Sequence, residues 1–228
     1  MKNACIFLLS LVTFIATAQK SEVLKTLKEY HFDENFLLEN LKDSDAQYSF
    51  DVNTTNVIGG KTTIQIAKFD ATQEVGKRWI LLKENGKEPT KKQLRTFDKT
   101  HNTKDKVNGT IDDNSWRIEK DTDNEIVITF QYDKKSLPKR FRYLGDCKGL
   151  AYFNKKTKKL EKAEYVNLKD IQIKIFKVKK LDLVVYYDYN DEFNTYLISK
   201  EDIRMTIKFL GQIMEANDIN ILSNYKKN

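Results

Sequence analysis

The feature that most constrains the fold is the strict alternation of apolar and polar residues from Ile203 to Phe209. A two-residue period is typical of a β-strand with one buried face. Upstream, Leu150 to Phe153 is followed by a polar turn and by a returning strand from Leu160 to Tyr165, which predicts a hairpin. The stretch from Ile171 to Asp188 is long enough to cross a sheet. We therefore expect one antiparallel sheet onto which the rest of the chain packs.

The first eighteen residues have the three parts of a secretory signal. Lys2 gives the charged start, Ile6 to Ile15 the apolar run, and Ala16 to Ala18 the small residues of a cleavage site. That run is shorter than the roughly 20 residues that span a bilayer, and no later stretch approaches this length. We expect cleavage after Ala18, no transmembrane segment, and a single soluble domain from 19 to 228 in the bacterial periplasm or outside the cell.

Cysteine usage and charge restrict the class of protein further. Cys5 lies within the signal, so only Cys147 remains, and one cysteine forms no internal disulfide. We interpret Cys147 as a small, partly buried residue at a strand start; the alternative is a thiol that pairs with a partner. The net charge of +7 arises from 40 basic and 33 acidic residues. In an exported chain this excess indicates a solvated lysine-rich surface or one that meets anionic lipid headgroups, and not a nucleic-acid interface.

Three short helices are predicted. The first runs from Ser21 to Tyr30 with Ser21 as its N-cap, and His31 and Phe32 interrupt it. The second runs from Asp33 to Leu41, with Asp33 as cap. The third runs from Lys91 to Thr100, opened by Pro89 and Thr90, with Leu94 and Phe97 directed inward. These helices are the only segments available to cover an apolar sheet face.

The remaining strands follow from alternation and turn residues. In the first half we predict a hairpin of Tyr48–Val52 and Lys61–Phe69 around a turn at Asn53–Asn56, a bulge or wide turn at Gly59-Gly60, and a strand Trp79–Lys83 ending at Asn85-Gly86. A mobile loop His101–Asn114 follows, and then a hairpin of Trp116–Glu119 and Glu125–Tyr132. At the end of the chain we predict a turn-like segment Leu210–Asp218 and a closing strand Ile219–Tyr225.

The apolar sides of these strands define a candidate binding surface. They predict a mainly β (α+β) fold, a curled antiparallel sheet or half-open β-barrel with short helices on its concave face. If the helices leave a gap, an apolar molecule can enter. The candidate ligand-binding residues of this apolar cup are Tyr48, Phe50, Ile64, Ile66, Ile128, Phe130, Leu183, Val185, Tyr187, Met205, Ile207 and Phe209, and Val52, Ile126 and Ile203 extend the same face.

Two runs carry a resemblance to known proteins. They are Gly76 to Leu82 with the following Asn-Gly-Lys-Glu-Pro-Thr, and Gly149 to Ala163. From about Asp70 onward the chain resembles uncharacterised bacterial exported proteins whose sheet is similar to that of periplasmic lipoprotein carriers and lipoprotein-sensing domains. In those carriers a half-open barrel with a helical lid holds acyl chains. The resemblance implies a fold, and it transfers no individual functional residue.

The sequence offers no constellation for catalysis or metal binding. His31 and His101 lie in different segments without partner ligands, and we interpret them as a helix-junction residue and a surface residue. The acidic run from Asp188 to Glu192 lacks the glycine and the distal glutamate of a calcium loop, which indicates a hairpin turn. Cys147 has no local catalytic signature. We therefore predict no enzyme activity, no catalytic residues, no metal and no cofactor.

Two functions remain. The first is a monomeric envelope protein that binds a lipid, an acyl chain or an acylated protein in the apolar cup, with a role in lipid or lipoprotein trafficking. The alternative is an interaction or sensing module that binds an envelope protein through an edge strand or through the loop from His101 to Asn114.

Overall fold

The computed structural model describes residues 19–32, 47–102, 109–173 and 175–228. Within these residues, eleven antiparallel strands form one sheet. The strands are β1 (Tyr48–Ile58), β2 (Lys61–Phe69), β3 (Trp79–Glu84), β4 (Arg117–Asp121), β5 (Glu125–Phe130), β6 (Cys147–Asn154), β7 (Lys159–Asn167), β8 (Ile171–Ile173), β9 (Phe176–Asn190), β10 (Thr195–Phe209) and β11 (Gln212–Lys227). The predicted mainly β, antiparallel fold is confirmed.

The strand order is β3-β2-β1-β11-β10-β9-β7-β6-β5-β4, and β8 pairs with β9 beside this path. The sheet is not closed into a barrel, because β3 and β4 end it on opposite sides. The predicted signal segment and the whole predicted helix from Asp33 to Leu41 lie outside the described residues.

The first helix, α1, comprises residues 19–29. Ser21 lies inside it, so the prediction that Ser21 is the N-cap is wrong. His31 has φ 62°, and the N–H of Phe32 donates to the carbonyl oxygen of Leu27 at 2.9 Å. This left-handed residue ends the helix and turns Phe32 back onto the core. The helix predicted to follow His31 lies outside the described residues, so the role of His31 as a junction between two helices stays a prediction.

The second helix, α2 (Lys91–His101), begins with a capping box. Thr90 accepts a hydrogen bond from the backbone N–H of Gln93, and the Gln93 side chain accepts one from the N–H of Thr90. Phe97 is buried against Leu81, whereas Leu94 is exposed. The inward direction predicted for Leu94 is therefore wrong, because α2 covers only a narrow stripe at the β3 edge of the sheet.

Two predicted turns are strands in the structure. β1 continues through Asn53 to Asn56 and turns at Gly59-Gly60, and β11 begins at Gln212, directly after Leu210-Gly211. Asn53–Asn56 is wholly polar, and Leu210–Asp218 contains Gly211, Asn217 and Asp218, so residues typical of turns caused the incorrect predictions. The hairpins at Asn85-Gly86 and around 155–158 lie where the sequence predicts them.

The segment from Ile171 to Asp188 divides into β8 and β9. The predicted loop from His101 to Asn114 is ordered at both described ends: His101 is the last residue of α2, and Ile111 forms an isolated β-bridge with Tyr132. Residues 103–108 lie outside the described part of the chain.

Three apolar clusters lie on one face of the sheet, which we call the inner face. The largest joins α1 to β5, β6 and β7 and consists of Val23, Leu27, Phe32, Trp116, Ile126, Ile128, Phe130, Tyr132, Leu137, Ala151, Phe153 and Leu160. The second gathers Cys147, Ile171, Val178 and Leu181 near the 3-10 helix Lys139–Asp146. The third holds Ala67, Leu81 and Phe97 under α2. The helices therefore cover the two lateral ends of the inner face, α1 over β5 to β7 and α2 at the β3 edge.

Candidate functional site

The inner face changes from apolar to polar across the sheet. Residues directly opposite in antiparallel strands point to the same side, so the registers define one row of side chains. From β4 to β2 this row is Ile118, Ile128, Ala151, Ala163, Val185, Glu201, Asn220, Thr54 and Gln65. It is apolar from β4 to β9 and polar from β10 onward.

The neighbouring row changes in the same direction one strand later, because its β10 residue is Ile203 and its first polar residue beyond β10 is Asp218 on β11. It contains Phe130, Gly149, Tyr165, Leu183, Ile203, Asp218, Asn56 and Thr63. We call the seven polar residues of the two rows the polar block: Thr54, Asn56, Thr63, Gln65, Glu201, Asp218 and Asn220. The sequence prediction missed it, because Asn53–Asn56 and Leu210–Asp218 were interpreted as turns. The signal was present as polar residues at alternate positions, Thr54 and Asn56 on β1 and Asp218 and Asn220 on β11.

Hydrogen bonds connect the polar block across strands. The Thr54 hydroxyl donates to Asn220 Oδ1 at 2.7 Å, and Asn220 Nδ2 donates to Glu201 Oε2 at 3.0 Å. On the β3 side, Gln65 Nε2 donates to Glu84 Oε2 at 2.8 Å, and Gln93 of α2 donates to the same carboxylate. Two separate sets of hydrogen bonds, one on β1, β10 and β11 and one between β2, β3 and α2, therefore orient side chains of the block.

Two carboxyl groups of the block are desolvated. Burial raises the pKa of Glu201, the negative charge of Asp218 raises it further, and the hydrogen bond from Asn220 opposes the rise. Burial also raises the pKa of Asp218, against the lowering effects of His101 and of a hydrogen bond with Asn56. One oxygen of Asp218, Oδ1, is buried without a hydrogen-bond partner among the described residues. A carboxyl group in this state favours a cation or a hydrogen-bond donor as its neighbour.

Three tyrosines, Tyr132, Tyr165 and Tyr187, place hydroxyl groups in the apolar half of the inner face, beyond the polar block. The hydroxyl groups of Tyr132 and Tyr165 are 3.1 Å apart. Burial raises the pKa of Tyr187, and the charges of Tyr165 and Glu201 add to the effect. Burial also raises the pKa values of Tyr132 and Tyr165, so all three phenol groups stay neutral at physiological pH.

The predicted cup residues occupy three different environments. Ile128 and Phe130 are buried in the main core, and Val185 is also buried. Ile64 and Ile66 are exposed on the opposite face, because they pair with Thr55 and Asn53 and not with Phe50 or Val52. The prediction that all share one face is wrong for these two residues. The other seven members are partly exposed and are spread along the inner face and its two ends, so the structure does not gather them at one point: Tyr48, Phe50, Leu183, Tyr187, Met205, Ile207 and Phe209.

Two open cavities lie away from the centre of the cup. One, of about 680 Å³, lies where β1 begins and β11 ends, and Phe50, Asp70 and Tyr225 are among its lining residues. The other, of about 560 Å³, lies over Lys162, Tyr186 and its neighbours on β7, β9 and β10. Both are lined mainly by polar side chains.

The remaining candidates for chemistry have structural surroundings. The His101 ring stacks on Phe97 with centroids 4.0 Å apart and lies 5.4 Å from the ring of Trp79, so the prediction of a surface histidine is wrong. Cys147 lies at the start of β6, as predicted, and is fully buried instead of partly buried; burial together with Asp146 raises the pKa of its thiol to about 11. No group of three metal-ligating side chains occurs among the described residues.

Trp116 is fully buried, which agrees with a packing role. Among the helices in the described ranges, none has the length and apolar character needed to cross a membrane.

Comparison with known proteins gives little. No protein-family model matches the sequence, and no curated protein matches it. Among solved structures, the chain is similar to a DUF1329 family protein from Desulfovibrio piger ATCC 29098, whose crystal structure has a resolution of 1.75 Å. The match covers 92% of each chain, with 8% sequence identity and a TM-score of 0.36. A TM-score this low does not establish a common fold, and the resemblance to lipoprotein carriers stays an expectation from sequence.

Proposed function

We propose that the protein is a non-enzymatic, exported envelope protein that binds a lipid or another acyl-chain ligand on the inner face of its sheet. The observation that carries this proposal is the meeting of two surfaces on adjacent strands. Leu183 and Met205 are apolar and keep part of their surface exposed, and Glu201 and Asp218 lie beside them in the polar block.

Such a surface matches an amphipathic molecule. The apolar part of β9 and β10 accepts a hydrocarbon chain, whose transfer from water contributes about 0.8 kcal/mol per buried methylene. The polar block offers carboxyl and amide groups to a head that donates hydrogen bonds or carries positive charge. A purely apolar ligand leaves the unpartnered oxygen of Asp218 unsatisfied, which is unfavourable in a desolvated site.

The direct test is native mass spectrometry of the chain from residue 19 onward, purified from its own envelope without detergent, followed by organic extraction. A bound lipid of defined mass supports the proposal and identifies the ligand class. A clean mass of the protein alone, together with no binding of a dansyl-labelled fatty acid, contradicts it.

A matched pair of variants tests on which face of the sheet the ligand binds. Met205→Gln puts a polar amide into the apolar part of the inner face, and Ile66→Gln makes the same kind of change on the opposite face. We expect Met205→Gln to weaken fatty-acid binding about tenfold and Ile66→Gln to leave it unchanged. Equal effects of the two variants would place the ligand elsewhere.

A second candidate function has one observation in its favour. β3 is an edge strand of the described sheet, and its outward residues Ile80 and Leu82 are exposed. An exposed apolar edge can pair with a strand of another protein. If this edge binds an envelope protein, Leu82→Lys abolishes co-purification of that protein without changing fatty-acid binding.

A further inference from the structure

Six large apolar residues gather at one end of the sheet, around the β8–β9 and β10–β11 turns. They are Ile173, Ile175, Phe176, Phe209, Leu210 and Ile213, and we call them the apolar tip. Leu210 is 86% exposed, Ile175 68% and Ile213 66%. The rings of Phe176 and Phe209 lie 5.0 Å apart and join the two turns. Apolar residues this exposed and this close together mark an interaction site more often than chance exposure.

The apolar tip projects beyond the neighbouring hairpin. The β1–β2 turn ends at the level of Glu215, whose carbonyl oxygen accepts a hydrogen bond from the N–H of Gly59. The β10–β11 hairpin continues past Glu215 to its turn at Leu210-Gly211. At about 3.3 Å per residue, these extra residues carry the turn about 13 Å farther. The tip is therefore a protrusion that can enter a surface, in contrast to a flat face that must be covered by one.

Leu210 occupies a backbone conformation that does not suit leucine. The described chain has three two-residue turns in which both residues have positive φ: Gly59-Gly60, Asn85-Gly86 and Leu210-Gly211. Glycine and asparagine adopt this conformation at low cost, whereas leucine, with φ 47°, does so at a cost of roughly 1–2 kcal/mol. A residue that is unfavourable both for the turn and for contact with water is consistent with selection for binding.

Lysines flank the apolar tip. Lys177 and Lys208 are opposite each other on β9 and β10, on the outer side of the tip. Asp170 is shared between Lys177 and Lys179, at 3.7 and 2.5 Å, so one carboxylate serves two ammonium groups. In the described part of the chain, Lys208 has no carboxylate within ion-pair distance. We call Lys177, Lys179, Lys208 and Asp170 the collar of the tip. Three positive charges and one negative charge give this collar a net positive charge.

We propose that the apolar tip inserts into the surface of an anionic lipid bilayer. Leu210, Ile175 and Phe209 enter the boundary between headgroups and acyl chains, while Lys177 and Lys208 meet the anionic headgroups. Apolar insertion and electrostatic attraction together produce stable but reversible binding, and neither suffices alone. The positive collar favours a bilayer over a second copy of this chain, whose own collar would repel it.

The test is flotation of the chain from residue 19 onward with vesicles of phosphatidylcholine alone and of phosphatidylcholine with phosphatidylglycerol. We expect binding to the mixed vesicles, loss of most binding at high salt, and little binding to phosphatidylcholine alone. Leu210→Asn should reduce the binding constant about tenfold. The same substitution should raise the stability of the protein, because asparagine suits the left-handed position, so lost binding cannot arise from misfolding.

Ile64→Asn is the matched control, because Ile64 is exposed on the face opposite the inner face and lies far from the tip. This variant should bind the mixed vesicles like the wild type. Three results would overturn the proposal: no binding to mixed vesicles, equal binding by Leu210→Asn and wild type, or equal loss in Ile64→Asn. Concentration-dependent dimerisation that Leu210→Asn removes, with no vesicle binding, would assign the tip to a second copy. Since the fatty-acid test concerns the inner face, the two proposals fail independently.

Discussion

At the scale of single residues, the packing of Phe130 leaves no room for a side chain at position 149, which is a glycine. The two residues are directly opposite in β6 and β5, and a Cβ atom at Gly149 would lie 2.6 Å from two carbons of the Phe130 ring. The ring is buried in the main apolar cluster, so moving it displaces its neighbours. We expect Gly149→Ala to lower the free energy of unfolding by about 1–3 kcal/mol in urea denaturation.

The double variant Gly149→Ala with Phe130→Leu tests the cause. A smaller side chain at position 130 should accommodate the methyl group, so the double variant should lose less stability than the sum of the single variants. Lys148→Ala, a change on the other face of the same strand that removes an ion pair with Glu119, should stay within about 1 kcal/mol of the wild type. Strict additivity would show that the contact between Gly149 and Phe130 does not limit the site.

Glu201 makes the free energy of unfolding depend on pH, and the direction of this dependence follows from its raised pKa. Its pKa is raised in the folded protein, first by burial, so the folded state holds the proton more tightly than the unfolded state. Stability from this group is fully present below the ordinary value of 4.5 and is lost as the pH rises through the folded pKa. Each unit of upward shift corresponds to about 1.4 kcal/mol lost at high pH.

Glu201→Gln removes this titration and keeps an acceptor for Asn220. We expect the stability of the variant relative to wild type to increase as the pH rises from 4 to 8, as measured by urea denaturation at several pH values. Other carboxyl groups, such as Asp202, have lowered pKa values and produce the opposite trend, so the difference between the two proteins is the quantity to compare. A difference independent of pH would contradict the assignment.

At the scale of elements, α2 depends on its capping box. Thr90 Oγ1 accepts from the N–H of Gln93, and the Gln93 side chain accepts from the N–H of Thr90. Thr90→Ala should lower stability by about 1 kcal/mol. Thr96→Ala is the matched control, since Thr96 is exposed within the same helix and its hydroxyl donates only to the carbonyl oxygen of Lys92. We expect this control to be neutral or slightly stabilising. Equal losses would mean that the cap contributes nothing.

Elements with strong local signals were predictable, and strands with a polar inner side were not. The sequence predicts α2, the Asn85-Gly86 turn and the β6–β7 hairpin because capping and turn residues act within a few positions. β1 and β11 were shortened in the prediction because Thr54, Asn56 and Asp218 are polar on the face that was expected to be apolar. Only the pairing of β1 with β11, which joins distant parts of the chain, brings these side chains together.

The same limit applies to the candidate site. Alternation places Phe50, Leu183 and Met205 on one face, as the structure shows. It gives no relation between faces of different strands, so Ile64 and Ile66 were assigned to the wrong side. The division of the inner face into an apolar and a polar half depends on strand order, which the sequence pattern does not contain.

At the scale of the whole molecule, the two halves of the sheet differ in how they are held. β5 is buried on both sides and packs beneath α1, where Leu27 is fully buried. β3 is an edge strand with only Leu81 buried. Between them the polar block replaces apolar contacts with hydrogen bonds. Because local opening follows the density of apolar contacts, amide hydrogen exchange should be slowest in β5 and β6 and at least about tenfold faster in β3.

Leu27→Ala distinguishes a divided sheet from one cooperative unit. Loss of this side chain from the core costs about 2–5 kcal/mol and acts first on the strands under α1. If the polar block separates the halves, exchange accelerates strongly in β5 and β6 and little in β2 and β3. If the sheet opens as one unit, protection falls by the same factor in the slowest amides of every strand, and the polar block is then a binding surface without a role in dividing the fold.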